Sequence, residues 1–176
     1  MTDNATITVD DAEVLARLQT LLQRMSDPAP ALSEIGEALK DSTQYRFDTG
    51  TAPDGSRWAP NSEMTLFAYL GARGGFRKGG GLNKKGVALA GNKKPLVASG
   101  IMQDTITWQP GPDGRSIEIG SNRIQAKMLH YGGITAASSM IPSKIIPARP
   151  FLGFSDDDNR TILDIIGHYV AQNYSA

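Results

Sequence analysis

The sequence predicts a single α+β domain spanning residues 1–176, with helices packed on a small antiparallel sheet. Apolar residues recur at helical spacing over residues 14–47 and again over 156–174. Between those regions, two short segments on either side of Gln109-Pro-Gly-Pro-Asp-Gly114 alternate with period two, the mark of a hairpin. No internal repeat at a solenoid period competes with this reading. With 176 residues, 40% of them apolar, the chain can bury one modest core.

The elements follow in order. Asp10 or Asp11 is placed to cap a first helix carrying Val14, Leu15, Leu18, Leu21, Leu22 and Met25 on one face. Ser26-Asp-Pro-Ala-Pro30 ends it and starts a second helix on Leu32, Ile35, Leu39 and Phe47, with Ser33 and Glu37 exposed. Pro53-Asp54-Gly55 marks a turn in a polar loop, and Trp58 within that loop is expected to anchor it to the core. Ser62 stands where it can cap a short helix through Met64, Leu66, Phe67 and Leu70. Ile106, Trp108, Ile117 and Ile119 are the expected inner face of the hairpin, and both tryptophans are expected to be substantially buried. A short helix from Ile124 to Tyr131, an irregular arm over 132–148 and a helix from Asp156 to Tyr174 complete the chain. The acids that open the last helix suit its dipole.

Residues 71–94, GARGGFRKGGGLNKKGVALAGNKK, break this pattern. They hold eight glycines, no acid and seven cations: Arg73, Arg77, Lys78, Lys84, Lys85, Lys93 and Lys94. Glycine loses much backbone entropy on ordering and buries little in return, so the expectation is a flexible loop with no element longer than a turn or two. Its partner would be nucleic acid or the acidic face of a neighbouring subunit; a solvated loop with no partner is the plain alternative. Net charge is +0, yet residues 1–48 carry nine acids against four bases. That segregation favours pairing within or between copies over free nucleic-acid binding, which calls for a net basic domain.

Several chemistries are excluded. There is no cysteine, hence no disulfide, thiolate metal site or cysteine nucleophile. The two histidines, His130 and His168, are too few for a zinc site, and His130 suits an interface or a buried hydrogen bond. Gly86 to Gly91 has the glycine spacing of a phosphate loop, but Asn92-Lys93-Lys94 follows where Lys-Ser/Thr is required. Three successive acids at 156–158 point in different directions from a helix start and make no cation site. No catalytic residue, cofactor or metal site is expected. The polar, acidic start is neither a signal nor a transit peptide, and no apolar run reaches the ~18 residues of a membrane span, so a cytoplasmic, non-membrane protein is expected.

Four fragments resemble, in order, the phage virion morphogenesis family, the tail-completion proteins of Mu-like and related tailed phages. They are Pro53-Asp54-Gly55-x-x-Trp58-x-Pro60, Leu96-x-x-Ser99-Gly100-x-Met102, Ile119-Gly120-Ser121 and Ile146-Pro147-Ala148-Arg149-Pro150-Phe151-Leu152-Gly153. Met128-Leu129-His130-Tyr131-Gly132-Gly133 is also similar, without the glutamine of the family pattern. The resemblance implies a non-enzymatic structural protein of the virion. It would join tail to head at the neck as a tail-completion or terminator ring, a homo-oligomer of hexameric type around the DNA channel. The implied partners are the tail tube protein, other neck proteins and the phage DNA in the lumen. A DNA-binding accessory protein that uses the basic loop is the rival reading.

Pro147 and Pro150 stiffen the arm, Arg149 presents a planar fork of donors, and Phe151 supplies apolar anchorage. The expected subunit interface therefore comprises Arg149, Phe151, Asp156 and Asp157, with Arg149 on a carboxylate of the adjacent copy.

Overall fold

The computed structural model describes residues 27–97, 100–139 and 141–171, together with Leu15, Ala16 and Gln19, which are helical. The rest of the first predicted helix, and the predicted final turn through Tyr174, lie outside the described residues.

Helix α1 (Ala29–Thr49) organises the domain. Pro28 and Pro30 sit at its start, where a missing N–H costs nothing, and the Asp27 Oδ1 accepts from the Ala29 N–H at 3.2 Å. Gly50, with φ of 69°, closes it by donating to the Arg46 carbonyl, a left-handed cap that glycine adopts without strain. Ala31, Ile35 and Leu39 from its first half pack with Ile165 of the last helix, α6 (Asp156–Ala171). Phe47 from its second half joins Ala52, Trp58, Met102, Ile106 and Phe151 in a second cluster. One long helix thus spans both halves of the core.

Strands β1 (Ile106–Pro110) and β2 (Ile117–Ser121) pair antiparallel with Trp108 opposite Ile119 and lie against α1. The expected inner face is the observed one, although Trp108 is half-buried rather than enclosed. Its indole lies flat over Gly36 of α1 and donates from Nε1 to Glu37 Oε1 at 3.0 Å. The turn uses Asp113, whose Oδ1 accepts from the Arg115 N–H and the Ser116 hydroxyl.

Helix α2 (Glu63–Ala72) begins at Ser62, which accepts from the Thr65 N–H as expected. A third helix, α3 (Lys84–Asn92), stands where the sequence predicted loop. A single turn, α4 (Ile101–Asp104), leads into β1, and α5 (Ala126–Tyr131) follows β2. The arm expected to be irregular contains a two-residue ladder, β3 (Gly133–Ile134) with β4 (Ile145–Ile146). None of the described helices is long and apolar enough to cross a membrane.

The Gly36 contact yields an opposed pair of predictions. A Cβ on Gly36 would lie 2.4 Å from the Trp108 ring, so Gly36→Ala should destabilise by roughly 1–3 kcal/mol. A Cβ on Gly167 of α6 meets nothing within 4 Å, so Gly167→Ala should stabilise by about 0.5–1 kcal/mol. Thermal melts of the two variants should move in opposite directions.

Candidate functional site

The segment from Pro147 to Gly153 is held by its backbone. The Arg149 N–H donates to the Leu129 carbonyl at 2.9 Å, and the Trp58 indole N–H donates to the Pro150 carbonyl at 2.7 Å. His130 Nδ1 accepts from the N–H groups of Phe151 at 3.3 Å and Leu152 at 3.5 Å. Arg46 Nη1 reaches the carbonyls of Phe151 at 3.0 Å and Gly153 at 2.9 Å. These bonds give the arm's backbone a set of partners inside the subunit. Between them Phe151, 1% exposed, fits against Phe47 and edge-on to His130. Trp58 is buried and meets Phe47 edge-on, so the expected loop anchor is observed.

Arg149 departs from expectation. Its fork donates from Nε to the Ala59 carbonyl and from Nη2 to the Pro60 carbonyl, both at 2.8 Å, and the side chain is 7% exposed. Arg149 and Phe151 therefore belong to the interior of the subunit, where they tie the arm to the Trp58 loop. This corrects their assignment to a subunit interface. The proline-stiffened backbone aims the guanidinium inward at two carbonyls rather than outward at a carboxylate.

Arg46 carries the adjoining ion pair, its Nη2 bound to the Asp158 carboxylate with both side chains buried. Burial pushes the Asp158 carboxyl up, but hydrogen bonds from Ser42 and Ser155 and the Arg46 charge outweigh it and hold the group below the carboxylate range. Asp158 also accepts from the Ser155 N–H at 2.7 Å, while Ser155 Oγ accepts from the Asp158 N–H at 3.1 Å. This reciprocal cap starts α6. The acidic triplet is thus divided by role. Asp158 is an interior clasp and helix start, whereas Asp156 and Asp157 stay on the surface, Asp157 paired with Arg160 at 2.7 Å. The signal for Asp158 was the spacing Ser155-x-x-Asp158 directly before an apolar helix.

The basic stretch folds into a lobe with α2. Asn83 builds it: its side chain caps α3 by accepting from the Gly86 N–H at 2.7 Å and donates to the Gly74 carbonyl at 2.8 Å. Gly75 and Gly86 then touch through their backbones, and a Cβ on Gly86 would lie 2.0 Å from the Gly75 oxygen. Phe76 bridges to Leu82 and packs its ring 4.7 Å from Phe67. This corrects the expectation of a loop without regular elements. Glycines counted as an entropic burden serve instead as the contact that lets two backbones meet.

The lobe sorts its cations. Arg73 stacks on Tyr69 with its guanidinium 4.1 Å from the ring centroid. Lys93 lies over the same ring at 5.1 Å and donates to the Val97 carbonyl; burial, then repulsion from Arg73, lowers its pKa. Lys94 lies 3.7 Å from Asp48. Arg77, Lys78, Lys84 and Lys85 are exposed and, among the described residues, have no carboxylate within ion-pair range. Exposed Met64, Phe67 and Val87 accompany them. An acidic groove of about 760 Å³ opens between α1 and α6, with Asp41, Asp54, Asp156 and Asp157 along it. Among the described residues, no three acids or histidines gather as metal ligands.

Comparison with known proteins matches a sequence profile described as the phage virion morphogenesis family over residues 9–171. Tail completion protein S of Escherichia phage P2 is 25% identical over 136 residues, covering 76% of this chain and 78% of that protein. No solved structure matches.

Two measurements check this geometry. Gly86→Ala should force the lobe open, so that trypsin cuts at Arg77, Lys78, Lys84 and Lys85 at least about tenfold faster while the core melt barely moves. Burial lowers the pKa of His130, and its neutral Nδ1 is the acceptor that the arm needs. Below the unfolded pKa of about 6.5 the unfolded chain takes up a proton that the folded chain resists. Stability should therefore fall as pH drops from about 6.5, and His130→Asn, which keeps an acceptor but does not titrate, should lose that part of the slope.

Proposed function

This chain belongs to the phage virion morphogenesis family, and from that premise we propose that it is a structural protein that completes the phage tail. It assembles as a homo-oligomeric ring at the head-proximal end of the tail, around the channel through which DNA passes. There it contacts the tail tube and the proteins of the neck. The name of the P2 relative, a tail completion protein, supports the tail as its place in the virion.

The observation that carries the reading is the basic lobe. A cluster of exposed cations, Arg77, Lys78, Lys84 and Lys85, with no ion pair among the described residues and with exposed Met64, Phe67 and Val87 beside them, suits a surface that meets an anionic partner in a fixed orientation. The partner is DNA in the lumen or an acidic face of a neighbouring neck protein. The arm contributes rigidity, since Arg149 and Phe151 fix the frame on which the lobe sits.

Complementation tests this directly. Purified protein added to tails made without it should restore head joining and plaque formation. A chain with Arg77, Lys78, Lys84 and Lys85 all changed to Glu should fold with an unchanged melt and lose at least about tenfold in plaque yield. If the reversed chain complements fully, the lobe has no part in assembly. If the wild-type subunit alone binds duplex DNA with an affinity that falls steeply with salt, and tails lacking it join heads normally, the protein is a DNA-binding accessory instead.

A further inference from the structure

The basic lobe ends in a built projection. Phe76 and Leu82 pair across an antiparallel bridge, and between them the Arg77 N–H donates to the Gly81 carbonyl and the Gly80 N–H to the Arg77 carbonyl, both at 3.0 Å. Arg77 and Lys78 therefore stand on a tight turn. A Cβ on Gly79, Gly80 or Gly81 would meet nothing within 4 Å, so there is open space around that turn. Lys84 and Lys85 follow in the first turn of α3, at the positive end of the helix dipole and with no acid beside them in that turn. The helix itself thus disfavours two of the four exposed cations, and a carboxylate brought from outside would relieve them.

The groove between α1 and α6 has the opposite character. It measures about 760 Å³, Asp41, Asp54, Asp156 and Asp157 line it, and the one cation in its lining, Arg46, is taken up by Asp158. Asp157 shares its charge with Arg160, whereas Asp41, Asp54 and Asp156 have no ion pair among the described residues. Exposed Tyr45 stands in its wall, and exposed Phe154 lines an adjoining hollow that shares Asp54 and Asp156. Carboxylates beside open aromatic rings suit guanidinium and ammonium groups. We propose that the Arg77–Lys78 turn and the start of α3 of one copy dock in the α1–α6 groove of a second copy, with their cations on Asp41, Asp54 and Asp156. This rests on the reading of the lobe as a contact surface, whose anionic partner it names, and not on the place of the protein in the tail.

The lobe does not reach its own groove. Asn61 holds it by donating to the Lys93 carbonyl at 3.2 Å, Lys94 lies against Asp48, and no residue of 71–94 lines the groove. Charge argues for a second copy over DNA. A nucleic-acid surface calls for a net basic domain, whereas this chain is neutral and carries both a basic projection and an acidic hollow. Met64 and Val87, exposed on the lobe, find apolar area on a rim bearing Tyr45 and Phe154 and none on a phosphate backbone.

Sedimentation of charge-reversed chains tests the pairing. The wild-type chain should self-associate at low salt and dissociate as salt screens the contact. Arg77→Glu/Lys78→Glu/Lys84→Glu/Lys85→Glu and, separately, Asp41→Lys/Asp156→Lys should each weaken association at least about tenfold, with the circular dichroism unchanged. If the two lysines loosen α6, Asp41→Asn/Asp156→Asn should weaken association in the same direction. Mixed in equal amounts, the two reversed chains should associate again, because each lobe then faces a groove of opposite sign. A chain carrying both reversals should associate with itself and not with tagged wild type. A wild-type chain that stays monomeric at low salt, a reversal that leaves association intact, or a mixture that does not recover would overturn the proposal. If lobe reversal abolishes plaque yield while self-association persists, the proposal fails but the lobe remains a contact surface, with its anionic partner elsewhere.

Discussion

The Arg46 guanidinium is the joint on which the rest of the subunit depends. It leaves α1 near the C-terminal end and binds partners more than a hundred residues further along the chain: the carbonyls of Phe151 and Gly153, and the carboxylate of Asp158. Three parts of the fold meet there, namely the central helix, the proline-stiffened arm and the start of the last helix. A buried charge pair gains little net free energy over apolar packing, but removing one partner strands the other in a medium that cannot solvate it. The pair therefore acts as a register device. It fixes where the arm crosses α1 and which turn of α6 comes first, and Phe151 can fill the space beside Phe47 once both are set.

The frame built around that joint separates charge. The cations that find partners inside the lobe, Arg73 and Lys93, brace it against Tyr69, while Arg77, Lys78, Lys84 and Lys85 face outward. The acidic groove between α1 and α6 carries the opposite sign. A chain of zero net charge thus presents two faces of opposite sign. Exposed apolar side chains accompany the charge on the lobe, at Met64, Phe67 and Val87, and on α6, at Leu163 and Ile166.

Much of the fold was legible because it rests on local rules. The α1 stripe of Ile35, Leu39 and Phe47, the Ser62 cap, the Pro53-Asp54-Gly55 turn with Trp58 behind it and the inner face of the hairpin all follow from periodicity and turn chemistry. What composition hid was pairing at a distance. Arg46 and Asp158 are 112 residues apart, and nothing in α1 marks its one buried cation from an exposed one. The lobe was misread for a related reason. Eight glycines in 71–94 signal disorder when counted, but the backbone contact of Gly75 with Gly86 and the bonds of Asn83 belong to particular positions and not to a tally. Arg149 was placed correctly on a stiff arm but assigned the wrong partner, because sequence shows that an arginine is oriented and not in which direction.

The most direct test of the joint is a double-mutant cycle followed by urea denaturation, with Arg46→Met, Asp158→Leu and the two combined. The account predicts that each single change destabilises by roughly 3–5 kcal/mol, since each leaves a buried charge or buried carbonyls without a partner. The combined change should cost well under the sum, because the second substitution removes the charge that the first one stranded. Single changes that cost less than about 1 kcal/mol each and simply add would contradict it, and would reduce Arg46 to one packed side chain among many.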